Sequence, residues 1–134
     1  MAAHLPAAAF VLHTYDSHTN GLVLGFCSEF GLVSPDARVA VGEGLTGWVA
    51  ATGRSVVNSD ARLDLTDGVT ERFGLTTTLA VPAQGKEEVL AVLTFYSREA
   101  DAFTDVHGRI AEAAAEIVAA ALARAVPLTA ATAA

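Results

Sequence analysis

The 134-residue sequence predicts a single α+β domain in which short strands come first and one long helix comes last. Three observations predict it. Apolar runs of strand length are bounded by turn residues, two pairs of those runs are joined by glycine-containing turns, and a helical apolar pattern closes the chain.

In chain order, Ala8–Tyr15 and Leu22–Cys27 read as strands, and Asn20-Gly21 between them tolerates positive φ, so the two form an antiparallel hairpin. Arg38–Val41 is a short third strand. From Gly44 to Thr52, Leu45, Trp48, Val49 and Thr52 recur at helical spacing, and Gly53 is placed to end that helix in the left-handed region. Trp48 is expected to anchor this helix on the sheet. Ser55–Asn58 is a short fourth strand. Asp60–Phe73 interleaves carboxylates with single apolar residues around Gly68 and is expected to be irregular, with a helical turn or two. Leu75–Val81 and Val89–Tyr96 are the strongest strand runs, and Gly85 suits a tight turn between them.

Thr104 is placed to cap the last helix, with the favourable acid Asp105 in its first turn. The pattern runs to about Val126, where Pro127 is expected to stop it. At 100° per residue the apolar positions cover an arc of about 220°, wider than the roughly 100° a helix needs against one sheet. Val106, Ile110 and Ile117 form one heavy stripe; Val118, Leu122 and Val126 form another, about 120° away by the same geometry. Alanine can widen such an arc cheaply, but the second stripe also fits a helix-to-helix homodimer contact. The expected organisation is a disordered tail over residues 1–6, a domain over 7–126, and a tail or linker start over 127–134.

Apolar residues make up 52% of the chain and mean hydropathy is +0.43, yet 28 residues are alanine, which raises hydropathy without supplying much core. The most apolar window, Ala111–Leu128, contains Glu112, Glu116 and Arg124. Each would cost about 2.5–3.5 kcal/mol at a bilayer centre, so no membrane partner is expected. The first residues carry no basic segment, and the apolar run after them ends by His13, unlike a secretory signal. Fifteen acids against eight bases give a net charge of −7, which leaves no basic footprint for nucleic acid. Cys27 is the only cysteine, so an internal disulfide, a zinc cluster and a Cys-x-x-Cys redox pair are all excluded. A cytoplasmic setting fits best.

Gly42-Glu43-Gly44-Leu45-Thr46-Gly47 has the spelling of a dinucleotide fingerprint, but its helix is ended by Gly53 and hairpins surround it where the fingerprint needs a βαβ crossover. A carboxylate at Glu43 would also repel a pyrophosphate. His4, His13, His18 and His107 are too scattered for a metal, and only His13 is placed to point inward, as a satisfied or edge residue. Cys27 reads as a small apolar core residue. Carboxylate pairs such as Asp64 and Asp67 read as solvated loop charge. No nucleophile elbow is present. Should Asp60–Phe73 and the Trp48 helix cap one sheet face, they would enclose an apolar cavity with polar atoms from Asn58, Thr76, Thr77, Thr78 and Thr94. Strand packing also accounts for the threonines.

The run Val41-Gly42-Glu43-Gly44-Leu45-Thr46-Gly47-Trp48-Val49-Ala50-Ala51-Thr52-Gly53-Arg54-Ser55-Val56-Val57-Asn58-Ser59-Asp60 resembles the middle of a GAF domain. So, in collinear order, do Phe73-Gly74-Leu75, Thr78–Pro82, Val89–Leu93 and Ala102-Phe103-Thr104. The resemblance spans about residues 7–126. It implies a fold related to PAS domains: an antiparallel sheet of about six strands, helices on one face, and a small-molecule pocket under loops and short helices on the other. The Asn-Lys…Phe…Asp-Glu pattern of cyclic-nucleotide binders is missing. Cys27 is on a strand, away from the loop-and-helix side where bilins attach, and a single cysteine is too few for a free methionine sulfoxide reductase. The chain also departs from the family in having almost no helix before its first strand.

The expectation is therefore a non-catalytic sensor module, of the kind found in two-component signal transduction, that takes a small-molecule ligand and needs no cofactor. Its pocket candidates are Trp48, Asn58, Phe73, Thr76, Thr77, Thr78 and Thr94, and its homodimer candidates on the C-terminal helix are Val118, Leu122 and Val126. The alternative is a ligand-free interaction module whose pocket is filled by its own side chains.

Overall fold

The computed structural model describes residues 5–133 apart from Asp67, with side chains as far as Arg124. Six strands form one sheet: β1 (Ala9–Asp16), β2 (Gly21–Cys27), β3 (Arg38–Ala40), β4 (Val56–Asp60), β5 (Thr77–Gln84) and β6 (Val89–Ser97). Their spatial order is β3-β2-β1-β6-β5-β4, and every neighbouring pair is antiparallel. Both predicted hairpins form. Asn20 takes the expected positive φ, and the Gly85 N–H closes the second turn on the Glu88 carbonyl at 2.7 Å.

The helices are α1 (Gly44–Thr52), α2 (Val69–Phe73) and α3 (Asp105–Ala133), with a 3-10 turn at Ala61–Leu63. Asp60–Phe73 is thus irregular with two short helical pieces, as its mixed pattern predicts. Gly53 ends α1 at φ 69°, where its N–H reaches the Val49 carbonyl. At the start of α3, the Thr104 hydroxyl accepts the His107 N–H while His107 Nδ1 accepts the Thr104 N–H. This is a reciprocal cap with histidine in the position usually held by Glu or Gln.

The α3 helix lies across β5 and β6 and runs through Pro127 to Ala133, beyond the expected stop. Proline in a helix interior removes one backbone donor and crowds the preceding turn without forbidding the helix, and half of the ten flanking residues between 123 and 133 are alanine, the best helix former. Of the predicted tails, residues 1–4 lie outside the described residues.

Strand alternation sends Leu79, Val81, Ala83, Ala91 and Leu93 to the α3 side, where they meet Ala111, Ala115 and Ala119. Small side chains at four-residue spacing let the helix sit close to the sheet. Val118 and Leu122, expected at a dimer contact, pack as half-buried residues against this same core. The stripe left outside contains Val106 and Ile117, 48% and 72% exposed. The two stripes are therefore exchanged relative to the expectation: the alanine row between Ile110 and Leu122 fixes the inward direction and rotates Ile117 to solvent. The Val126 side chain lies outside the described residues. No helix among the described residues is long and apolar enough to cross a membrane.

On the opposite face, two smaller clusters lie under α1 and the 61–73 segment. One gathers Ala9, Val11, Leu32, Ala61, Leu65, Leu75 and Tyr96, and the other Leu22, Val49, Ala80 and Val92.

Candidate functional site

The second face of the sheet is polar where it meets α1. The β1·β6 register sets Val11 opposite Thr94 and His13 opposite Val92, so period-2 alternation brings His13, Thr94 and Tyr96 onto one face. All three are buried.

Above them, α1 is held close by two glycines. A Cβ at Gly47 would stand 2.5 Å from the Ala40 carbonyl oxygen, so only glycine permits this approach. Gly44 has φ 64°, and a Cβ there would be 3.0 Å from Asp64 Oδ1. The helix has no local side-chain cap, since Glu43 at the N-cap position makes no such bond. Asp64 caps it instead, from eighteen residues away: Oδ1 accepts the Thr46 N–H at 2.9 Å and Oδ2 accepts the Thr46 hydroxyl at 2.8 Å. The Tyr96 hydroxyl donates to the same Oδ2 in a short hydrogen bond. Thr46 Oγ also lies 3.3 Å from Thr94 Oγ. Burial, reinforced by the neighbouring Asp64 charge, pushes the Tyr96 phenol well above 10, so it stays a donor.

Next to this network is a cavity of about 370 Å³, lined by apolar Leu32, Val33, Val39 and Leu65 and by His13, Thr46, Asp64 and Tyr96. His13 is 3% exposed, and neither ring nitrogen has a hydrogen-bond partner among the described residues. Burial lowers its pKa from 6.5, partly opposed by the Asp64 charge, so at neutral pH it is an uncharged imidazole with one donor and one acceptor nitrogen. A buried polar group without a partner costs about 1–3 kcal/mol, and this one faces a cavity. Arg38, Glu43 and Ser34 complete the polar rim.

The structure redistributes the residues singled out from sequence. Thr94 joins the network through Thr46. Trp48 does not line the cavity and is 41% exposed, because the buried face of α1 is Thr46, Gly47 and Val49. Asn58 takes φ 59° and grips the backbone ahead of α3: its Nδ2 donates to the Phe103 carbonyl at 2.8 Å, and its Oδ1 accepts the Phe103 N–H at 2.9 Å. The Thr76 and Thr77 hydroxyls donate to the Arg98 and Glu99 carbonyls. With Asn58 they border a separate, open hollow between β4 and α2. Phe73 packs beside the Tyr96 cluster, and the buried Thr78 hydroxyl has no partner among the described residues. Asp64, expected to be solvated, is half-buried and accepts three hydrogen bonds. His13 points inward as expected but is not satisfied. Cys27 is half-buried, with Sγ 3.2 Å from the Glu29 carbonyl. Among the described residues no cluster of His, Cys, Asp and Glu is arranged to hold a metal.

Residues 2–123 match the sequence profile of the GAF domain. Among solved structures, the fold is similar to the GAF domain of a phosphoenolpyruvate-protein phosphotransferase from Coxiella burnetii, with TM-score 0.78 and 26% identity over 94% of this chain and 77% of that one. The corresponding domain from Acinetobacter gives TM-score 0.72 and 16% identity over 89% and 73%. A free methionine-R-sulfoxide reductase from Neisseria meningitidis, solved with its substrate, gives 0.69 and 19% over 84% and 65%. A search of curated proteins finds no match.

Proposed function

The chain belongs to the GAF domain family, and from that premise we propose that it is a non-catalytic sensory module whose ligand site is the cavity beside His13 and Asp64. The observation that carries this reading is the pair of unpartnered nitrogens on a buried histidine that faces a cavity of about 370 Å³. A pocket filled by its own side chains, the alternative reading, would have no reason to keep that imidazole unsatisfied. A non-catalytic role is supported by the single cysteine, half-buried on a strand. The lone cysteine also favours the cytoplasm.

Signalling on this reading runs through Asp64. The 61–73 segment carries it over the cavity, and the same segment begins where β4 ends, two residues after Asn58 grips the chain leading into α3. A ligand that binds two arrangements of this segment with different affinity shifts the population between them. Homodimerisation through α3 is part of the proposal, and it falls to the exposed Val106, Ala113, Ile117 and Ala120 instead of Val118 and Leu122.

A thermal-shift screen over nucleotides, amino acids, amines and carboxylates tests the ligand site. A ligand present at 100 times its Kd adds about 2.7 kcal/mol of stability. The expected result is stabilisation by at least one class, with amide shifts centred on Thr46, Asp64 and Leu65. A flat response across all classes overturns the reading.

A further inference from the structure

The hydrogen-bonding character of the cavity floor selects among ligand classes. The donors that surround Asp64 are already committed to it: the Thr46 N–H, the Thr46 hydroxyl and the Tyr96 hydroxyl all point at its carboxylate. A carboxylate offers about four lone-pair positions, so one on Asp64 remains, and the neutral His13 ring adds a second acceptor on one nitrogen and a single N–H donor on the other. Charge points the same way. Asp64 and Glu43 both line the cavity, while Arg38, the cation on its rim, turns to Asp16 outside it at 3.5 Å. An anion entering the cavity meets two carboxylates while Arg38 is committed to Asp16, and a neutral molecule brings no charge to balance that of Asp64. The remaining wall is apolar, formed by Leu32, Val33, Val39 and Leu63.

Resting on the reading of this cavity as a ligand site, we propose that its ligand carries a protonated primary amine on a small apolar body, with the amine donating to Asp64 and His13 and the body lying against Leu32, Val33 and Val39. The low pKa that burial imposes on His13 keeps the imidazole an acceptor at neutral pH, where the amine is charged. Such a hydrogen bond is charge-assisted at both ends on the Asp64 side, which makes it stronger than its neutral counterpart.

The test titrates the full chain with three probes of one shape, n-pentylamine, 1-pentanol and pentanoate, at pH 7.5, reading backbone amide shifts. The amine is expected to move the Thr46, Asp64 and Leu65 amides saturably and to bind at least about tenfold more tightly than the alcohol, the step expected between charged and neutral hydrogen bonds. Pentanoate is expected to leave them unmoved. Alcohol or pentanoate binding as tightly as the amine overturns the amine assignment and leaves the ligand site standing. Silence from all three also overturns the amine assignment, whereas the ligand site itself falls only with a flat response in the broad screen. Asp64→Asn keeps the shape and removes the charge; it is expected to lose the tenfold preference, and an unchanged preference overturns the proposal. Should Asp64→Asn not fold, His13→Phe removes the neutral acceptor while keeping a buried ring and the Asp64 charge; it is expected to weaken amine binding, and an unchanged amine affinity overturns the proposal.

Discussion

Asp64 caps α1 across the fold, its carboxylate taking both the backbone N–H and the hydroxyl of Thr46 at 2.9 and 2.8 Å. One side chain thereby fixes the start of a helix, one wall of the cavity and the position of the 61–73 segment. Removing it leaves the Thr46 N–H and the Tyr96 hydroxyl without their acceptor. Asp64→Ala is expected to cost about 1–3 kcal/mol in urea denaturation. Gly44→Ala adds a Cβ 3.0 Å from Asp64 Oδ1 at a positive φ and is expected to cost about 1–2 kcal/mol. Near-neutral values for both would remove the cap from the account.

Asn58 ties β4 to the chain just before α3 through two hydrogen bonds to Phe103. Asn58→Gly keeps the positive φ accessible and deletes only the grip. Amide exchange is expected to quicken at Phe103 and through the first turn of α3, with a stability loss of about 1–2 kcal/mol. Unchanged protection at Phe103 contradicts a coupling role.

His13 makes stability depend on pH in one direction. Burial lowers its folded pKa below 6.5, against the Asp64 charge, while Tyr96 beside it stays neutral and Arg38 and Glu43 stand at the rim of the same cavity. In that case the unfolded chain takes up the proton first as pH falls. The contribution is fully present above 6.5 and is lost as pH drops through 6.5 toward the folded value. Asp16 and Asp60, whose carboxyls are held below 3.8 by hydrogen bonds to His18 and Arg62 respectively, lose their contributions only at more acid pH. Denaturation midpoints for the wild type are therefore expected to fall between pH 7 and 5 more steeply than for His13→Phe, where an equal slope in both contradicts the assignment.

The two stripes of α3 separate under one kind of substitution. Leu122→Glu places a charge against the Leu79, Val81 and Leu93 core and is expected to destabilise the fold by about 1–3 kcal/mol. Ile117→Glu, at a residue 72% exposed, is expected to leave folding intact and to give a monomer by sedimentation where the wild type gives a dimer. A wild-type monomer contradicts homodimerisation through this face.

How far the sequence could be read follows from the range of the interactions involved. Asn20-Gly21, Gly53 and Gly85 announced their turns because a turn is set by its own residues. The start of α3 after Thr104 was legible, but its run past Pro127 was not, nor was its inward face, since side-chain size favoured Ile117 where the sheet takes Ala111, Ala115 and Ala119 for close approach. Trp48 illustrates the same limit: the close contact is made by Gly47, whose neighbour Trp48 then turns toward solvent. Of the threonines singled out, Thr94 meets Thr46 beside Asp64, whereas Thr76 and Thr77 use their hydroxyls on backbone carbonyls. Asp64 was invisible because its partners Thr46 and Tyr96 lie eighteen and thirty-two residues away. The inward direction of His13 was legible from its strand; its missing partner was not.

Whether His13 and Asp64 border a ligand site can be read from the imidazole nitrogen resonances of His13 during titration with a compound that stabilises the protein. These resonances are expected to shift with saturation while those of His18 and His107, which are not among the residues lining the cavity, stay fixed. Stabilisation with the His13 resonances unmoved would contradict a ligand site there.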